Sequence, residues 1–308
     1  GGPYAEKVTN LMTHVLKYNP VTMTSHQFVN FSLIIVRSEQ ELTEKLKKAL
    51  ETDLEEIPVL SVDIEKRQRS DMRNHPPGID SGSSVICYLL LGTYRSAVLF
   101  DIGRLRSSSP DKIDFLPAFV RDLLARTDIA FVGSGIGTAD AADLELLNLH
   151  ITRDNMVDTQ DVVDVFATPE CMGRTGLAKQ SLSVFRGHIK IAKGRDQDLD
   201  ITQFEERLQV WCEDRDITPN LPYYQEYAKA WFLTHNIYAW HAGPDGDLRW
   251  RSKMYLLYDA LVPVLYCVRV ATKLRELDKE IDFDSAASLL RLIINLPAKS
   301  NFVKLTCD

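Results

Sequence analysis

The chain has 308 residues, 45% of them hydrophobic and 26% charged, which is enough to bury a sizeable core and excludes a disordered or fibrous class. A net charge of -7 excludes coating of nucleic acid by bulk electrostatics, since proteins that bind that way are basic; any such contact has to come from local patches. Five cysteines, Cys87, Cys171, Cys212, Cys267 and Cys307, are scattered without a CxxC pair, which speaks against a disulfide framework or a zinc site and predicts a reduced, intracellular setting.

No stretch approaches the roughly 20 apolar residues that cross a bilayer, and no basic-then-apolar leader opens the chain. Residues 4–18 carry Val8, Leu11, Met12 and Val15 at helical spacing and predict a helix, within an N-terminal extension over residues 1–30. Residues 31–36 (FSLIIV) form a β-rich run. Ser38 with Glu41 resembles a capping box, and an amphipathic helix continues over 42–50. Residues 57–64 (IPVLSVDI) read as a buried strand ending in charge, followed by a polar loop with a Pro-Pro pair over 66–82. Two further β-type runs, 85–91 and 97–102, complete a three-stranded meander. An amphipathic stretch over 113–124 and a short strand over 129–132 follow.

From there the pattern is helical, near 140–149, 159–167, 176–185, 202–213, 222–238, 251–274 and 284–294. This order predicts an α/β fold with a mixed central sheet flanked by helices. It forms a single domain over 31–308, with an insertion near 196–246 that is rich in Trp and Tyr.

The chemistry-bearing residues are acids. Asp63 and Glu65 stand two apart at a strand end, so their side chains share a face, where two carboxylates repel unless a cation sits between them. Tyr255 and Asp259 stand four apart in an apolar helical stretch and share a face; Leu256, Leu257, Ala260, Leu261 and Val262 would bury Asp259, and a buried carboxylate needs a partner or a metal. Asp140 follows a Gly-rich turn and opens a helix, where an acid also suits the helix N-terminus.

Together these residues resemble the DEDD 3'–5' exonuclease family, in the branch with a tyrosine four residues before the last aspartate, which includes the Werner, exosome-nuclease, Egalitarian and Nibbler type domains. Leu60-Ser61-Val62-Asp63-Ile64-Glu65 looks like the family's first motif and Val98-Leu99-Phe100-Asp101 like the close of its meander. Asp140 with Leu144, trailed by Val157-Asp158-Thr159-Gln160, is similar to the second motif, and Tyr255-Leu256-Leu257-Tyr258-Asp259-Ala260 to the third. The Gly-rich turn is one residue longer than the family's spacing, and Asp143 lies three residues on as a reserve for Asp140.

The resemblance implies an RNase H-like exonuclease fold and hydrolysis of single-stranded nucleic acid, RNA slightly ahead of DNA, from its 3' end with two divalent cations, Mg²⁺ or Mn²⁺. It implies that Asp63 bridges both ions, that Glu65 and Asp259 hold one, that Asp140 holds the other through a water, and that Tyr255 orients the attacking water. The alternative is a catalytically inactive fold of this kind, kept as a nucleic-acid-binding or protein-interaction scaffold.

Among other features, Gly133, Gly135 and Gly137 miss the dinucleotide-binding spacing by one position. The most basic segment contains Arg186, His188, Lys190, Lys193 and Arg195, and with Lys66, Arg67 and Arg69 beside the first motif it is a candidate for phosphate contacts. Tyr223, Tyr224, Tyr227, Trp231, Trp240 and Trp250 read as core rather than as a stacking platform.

Overall fold

In a computed structural model, the structure describes residues 2–15, 32–68, 78–110, 114–163, 180, 250–278 and 280–298. Its helices are α1 (Pro3–Val15), α2 (Glu44–Glu56), α3 (Ile102–Ser107), α4 (Ala118–Leu124), α5 (Ala141–Leu146), α6 (Trp250–Leu277) and α7 (Ala286–Ile294). The strands are β1 (Ser32–Val36), β2 (Val59–Gln68), β3 (Ile79–Ser81), β4 (Ser84–Gly92), β5 (Ser96–Asp101), β6 (Ala130–Gly133) and β7 (Met156–Asp158). They form one mixed seven-stranded sheet in the order β1-β5-β4-β2-β6-β7, with β3 paired to β4. The expected meander is β2-β4-β5, antiparallel throughout; β1, β6 and β7 add parallel pairs at the flanks.

The alternation of side chains along β2 decides which helices cover which face. Leu60, Val62 and Ile64 point into a core with Leu46, Leu50 and Leu54 of α2, Val120 of α4 and Leu144 of α5. Val59 points the other way, into a second core built with Leu261, Val264, Leu265 and Val268 of α6 and Leu289 and Ile293 of α7. Ser61, Asp63 and Glu65 follow Val59 at intervals of two and so belong to the α6 side.

Helix α1 is a layer of this second core rather than an appendage, with Ala5, Val8 and Met12 buried in it. The Tyr4 hydroxyl donates to the Glu56 carbonyl at 2.8 Å. Behind it, buried Asp53 accepts from Thr93 Oγ1 at 2.6 Å and from Arg95 Nη2 at 2.6 Å, which ties α2 to the β4–β5 turn.

Three local expectations need correction. Ser38 makes no side-chain cap and precedes only a short 3-10 turn, Glu39–Glu41, while Glu41 accepts from the Arg37 N–H; the true cap is Thr43, whose hydroxyl accepts from Leu46 N–H at the start of α2. The helix expected over 159–167 is not formed over residues 159–163, where Val162 instead bridges to Ala298. Helix α3, capped by Asp101, and the three-residue strands β3 and β7 had not been expected.

By backbone contacts the chain divides into two units, Gly1–Ile191 with Met254–Asp308 and Ala192–Lys253. The helices expected at 202–213 and 222–238, the side chains of Tyr223, Tyr224, Tyr227, Trp231, Trp240 and Trp250, and Arg186, His188, Lys190, Lys193 and Arg195 lie outside the described residues, as does the 176–185 helix apart from Gln180. Among the described residues, no helix is long and apolar enough to cross a membrane.

Candidate metal centre

Strand β2 carries Asp63 and Glu65 past the end of its parallel pairing with β6, which stops at Ser61. The two acids face Leu90 and Tyr88 of β4, and the β2–β4 register slips directly after Glu65, leaving Cys87 as the extra residue. Helix α6 brings the third acid, Asp259, buried like Glu65, whereas Asp63 is half-buried. One carboxylate oxygen from each of Asp63, Glu65 and Asp259 lies within 4.8 Å of the others.

So close a set of carboxylates in a dry setting makes Glu65 costly to ionise. Burial pushes the Glu65 carboxyl well above the usual carboxylate range, and the charges of Asp63, Asp259 and Asp140 add to this. Glu65 Oε1 is buried with no hydrogen-bond partner among the described residues. An orphaned buried carboxylate oxygen, with two more carboxylates within reach, fits a hard divalent cation, which takes oxygen ligands and offsets their repulsion.

The second stretch is delivered differently. After β6 the chain turns at Gly135, whose φ of +100° is left-handed, and winds through one π-type turn, Ile136–Asp140, before α5. A π turn takes one more residue than an α turn, and so accommodates the longer spacing seen in the sequence. Residues 158–160 pin this turn. Gly135 N–H and Gln160 N–H both donate to Asp158 Oδ1 at 3.0 Å, Thr159 N–H donates to the Gly133 carbonyl at 3.0 Å, and Gln160 Nε2 donates to Ser134 Oγ at 2.9 Å.

Asp140 ends the turn buried and gives α5 no side-chain cap. Its carboxyl is pushed up to about 8 by burial and by the charges of Asp63, Asp143 and Asp259, against the opposing pull of Lys66. Asp140 thus feels the acids of β2 and α6, although it lies outside the set of three within 4.8 Å. Asp143 is engaged elsewhere: Lys66 Nζ stands 2.6 Å from its Oδ2, and Ser81 Oγ donates to its Oδ1 at 2.7 Å. Tyr255 stands on α6 four residues before Asp259; its side chain lies outside the described residues.

Two features were not read from the sequence. One is the Lys66–Asp143–Ser81 cluster, which depends on strand β3. The other is Ser61, a hydroxyl in an otherwise apolar run, whose signal was its spacing of two and four residues from Asp63 and Glu65.

No family model and no curated protein matches the chain. Solved structures similar to it include exonuclease domains. The EXD2 exonuclease domain soaked in Mg and GMP is 20% identical over 67% of this chain and 88% of its own, with a TM-score of 0.32. The Nibbler EXO domain of Aedes aegypti is 13% identical over 85% of this chain and 95% of its own, at a TM-score of 0.45. The catalytic core of RRP6 from Trypanosoma brucei is 15% identical over 97% of this chain and 63% of its own, at a TM-score of 0.43.

Proposed function

We propose that the chain is a metal-dependent 3'–5' exonuclease acting on single-stranded RNA or DNA. The observation that carries this reading is the orphaned, buried Glu65 Oε1 within a set of three carboxylates whose oxygens lie within 4.8 Å of one another. Asp63, Glu65, Asp140 and Asp259 would hold a pair of Mg²⁺ or Mn²⁺ ions. The chemistry such a pair supplies is activation of a water and neutralisation of charge on the leaving 3' oxygen.

The chain's own residues do the rest. Asp63 is the most accessible of the three clustered acids and would be the one nearest an incoming phosphodiester. Glu65 and Asp259 are buried beside it, where a low local dielectric would strengthen their hold on a divalent ion. Tyr255 would hold a water by hydrogen bond rather than take its proton, since a free phenol keeps its proton at neutral pH. Arg186, His188, Lys190, Lys193 and Arg195 would meet the phosphates of the strand.

The test is incubation of single-stranded RNA and DNA, labelled at the 5' end or at the 3' end, with Mg²⁺, Mn²⁺ or EDTA. A 5'-labelled ladder shortening stepwise and a 3'-labelled mononucleotide appearing at once, both abolished by EDTA, are expected. No product with either metal, while the oligonucleotide still binds, would overturn the enzymatic reading in favour of a binding scaffold.

A further inference from the structure

We propose that Ser61 is a positioning residue for the metal centre: its hydroxyl clamps the backbone of α6 beside Asp259 and so sets the distance from the third carboxylate to the two on β2. This inference rests on the metal-centre reading given above. Ser61 is 1% exposed and lies on the same side of β2 as Asp63 and Glu65. Its Oγ donates to the Ala260 carbonyl at 2.6 Å, with the Gly92 carbonyl farther off at 3.2 Å.

Helix and sheet are in backbone contact here because Gly92 has no side chain. A Cβ at that position would lie 2.4 Å from Ser61 Oγ, 2.7 Å from Ala260 Cβ and 2.8 Å from the Ala260 carbonyl oxygen. Pro263 lies inside α6, and proline gives no N–H to the carbonyl four residues back, which is that of Asp259, while its ring crowds the same carbonyl. The helical ladder is therefore weakest at the turn that carries Asp259, and the bond to the next residue from Ser61 holds that turn to the sheet.

A buried serine could instead serve packing alone. The two roles separate because a packing role changes stability, whereas a positioning role changes metal affinity through a residue that touches no metal. Supports of this kind cost about 10-fold to 100-fold in affinity when removed.

The experiment is calorimetric titration of the full chain with Mn²⁺ alone, comparing the unaltered protein with Ser61→Ala, Gly92→Ala and Asp259→Asn, together with thermal unfolding of each without metal. Ser61→Ala is expected to weaken Mn²⁺ binding about 10-fold or more, with its metal-free midpoint little changed. Gly92→Ala, which pushes the same turn away from the sheet, should weaken it in the same direction. Ser61→Ala binding Mn²⁺ as the unaltered chain does, while Asp259→Asn binds it poorly, overturns the positioning role and leaves the metal centre standing. Failure of the unaltered chain to bind Mn²⁺, or undiminished binding by Asp259→Asn, overturns the metal centre itself and the clamp with it.

Discussion

Replacing Asp140 by asparagine should flatten the pH dependence of stability of the metal-free protein. In the folded chain Asp140 titrates at about 8 against an ordinary 3.8. A carboxyl whose folded-state pKa is raised binds more protons folded than unfolded at any pH between the two values, so stability falls as pH rises through that window. The folded state is penalised by about 2 kcal/mol at pH 5 and by about 4 kcal/mol at pH 7, and above pH 8 the penalty levels off. Between pH 5 and pH 7 the loss is about 2–3 kcal/mol, or roughly 3–5 °C in midpoint for a chain of this size. Thermal unfolding followed by circular dichroism in EDTA at pH 5, 6, 7 and 8 reads it directly. The unaltered protein should lose midpoint steadily over this range, Asp140→Asn should lose less, and Mg²⁺ or Mn²⁺ should stabilise the unaltered protein more at pH 8 than at pH 5. If Asp140→Asn falls with the same slope as the unaltered chain, Asp140 is not in the electrostatic field of the other acids and the reasoning fails.

Asp63→Asn and Asp259→Asn should each abolish cleavage of a labelled oligonucleotide while raising the metal-free midpoint, because each removes one charge from a repelling set; retained cleavage by either variant places the chemistry elsewhere. Lys66→Met strands the buried carboxylate of Asp143 and should cost about 3 kcal/mol in urea unfolding, and the double change Lys66→Met with Asp143→Leu should recover part of it. Gly135→Ala puts a side chain on a left-handed residue with φ +100° and should cost about 1–2 kcal/mol by the same measurement. It should also weaken divalent-ion binding, since that turn delivers Asp140.

The parts of the fold legible in the sequence were those whose pattern is strong over a short window. The apolar runs of β2, β4, β5 and β6 announce strands because buried strands are hydrophobic throughout. Asp63 and Glu65 stand out because a spacing of two puts both carboxylates on one face at the end of such a run. Asp259 stands out because α6 is apolar on nearly every side of it. Elements whose stability comes from a distant partner escaped. Val162 and Val163 have the look of a helix interior, yet Val162 pairs with Ala298, far along the chain. Strand β7 is three residues long and exists only against β6. Ser38 and Glu41 have the spacing of a capping box, but Leu42 leaves helical geometry and Thr43 takes over as the cap. Ser61 could be suspected from its spacing, but its partner on α6 could not.

The contact between Ser61 and Ala260 spans 199 residues of chain. Closing so distant a contact is slow, because the chain gives up its freedom before the contact contributes anything. Strands β2, β4 and β5 lie within residues 59–101 and can pair without it. During synthesis, then, Asp63 and Glu65 remain hydrated on an open sheet, and like charges are crowded together only when α6 docks. A partly synthesised chain that has not yet reached α6 carries two of the clustered carboxylates and lacks the third, so the set is not assembled until α6 has been made and has docked.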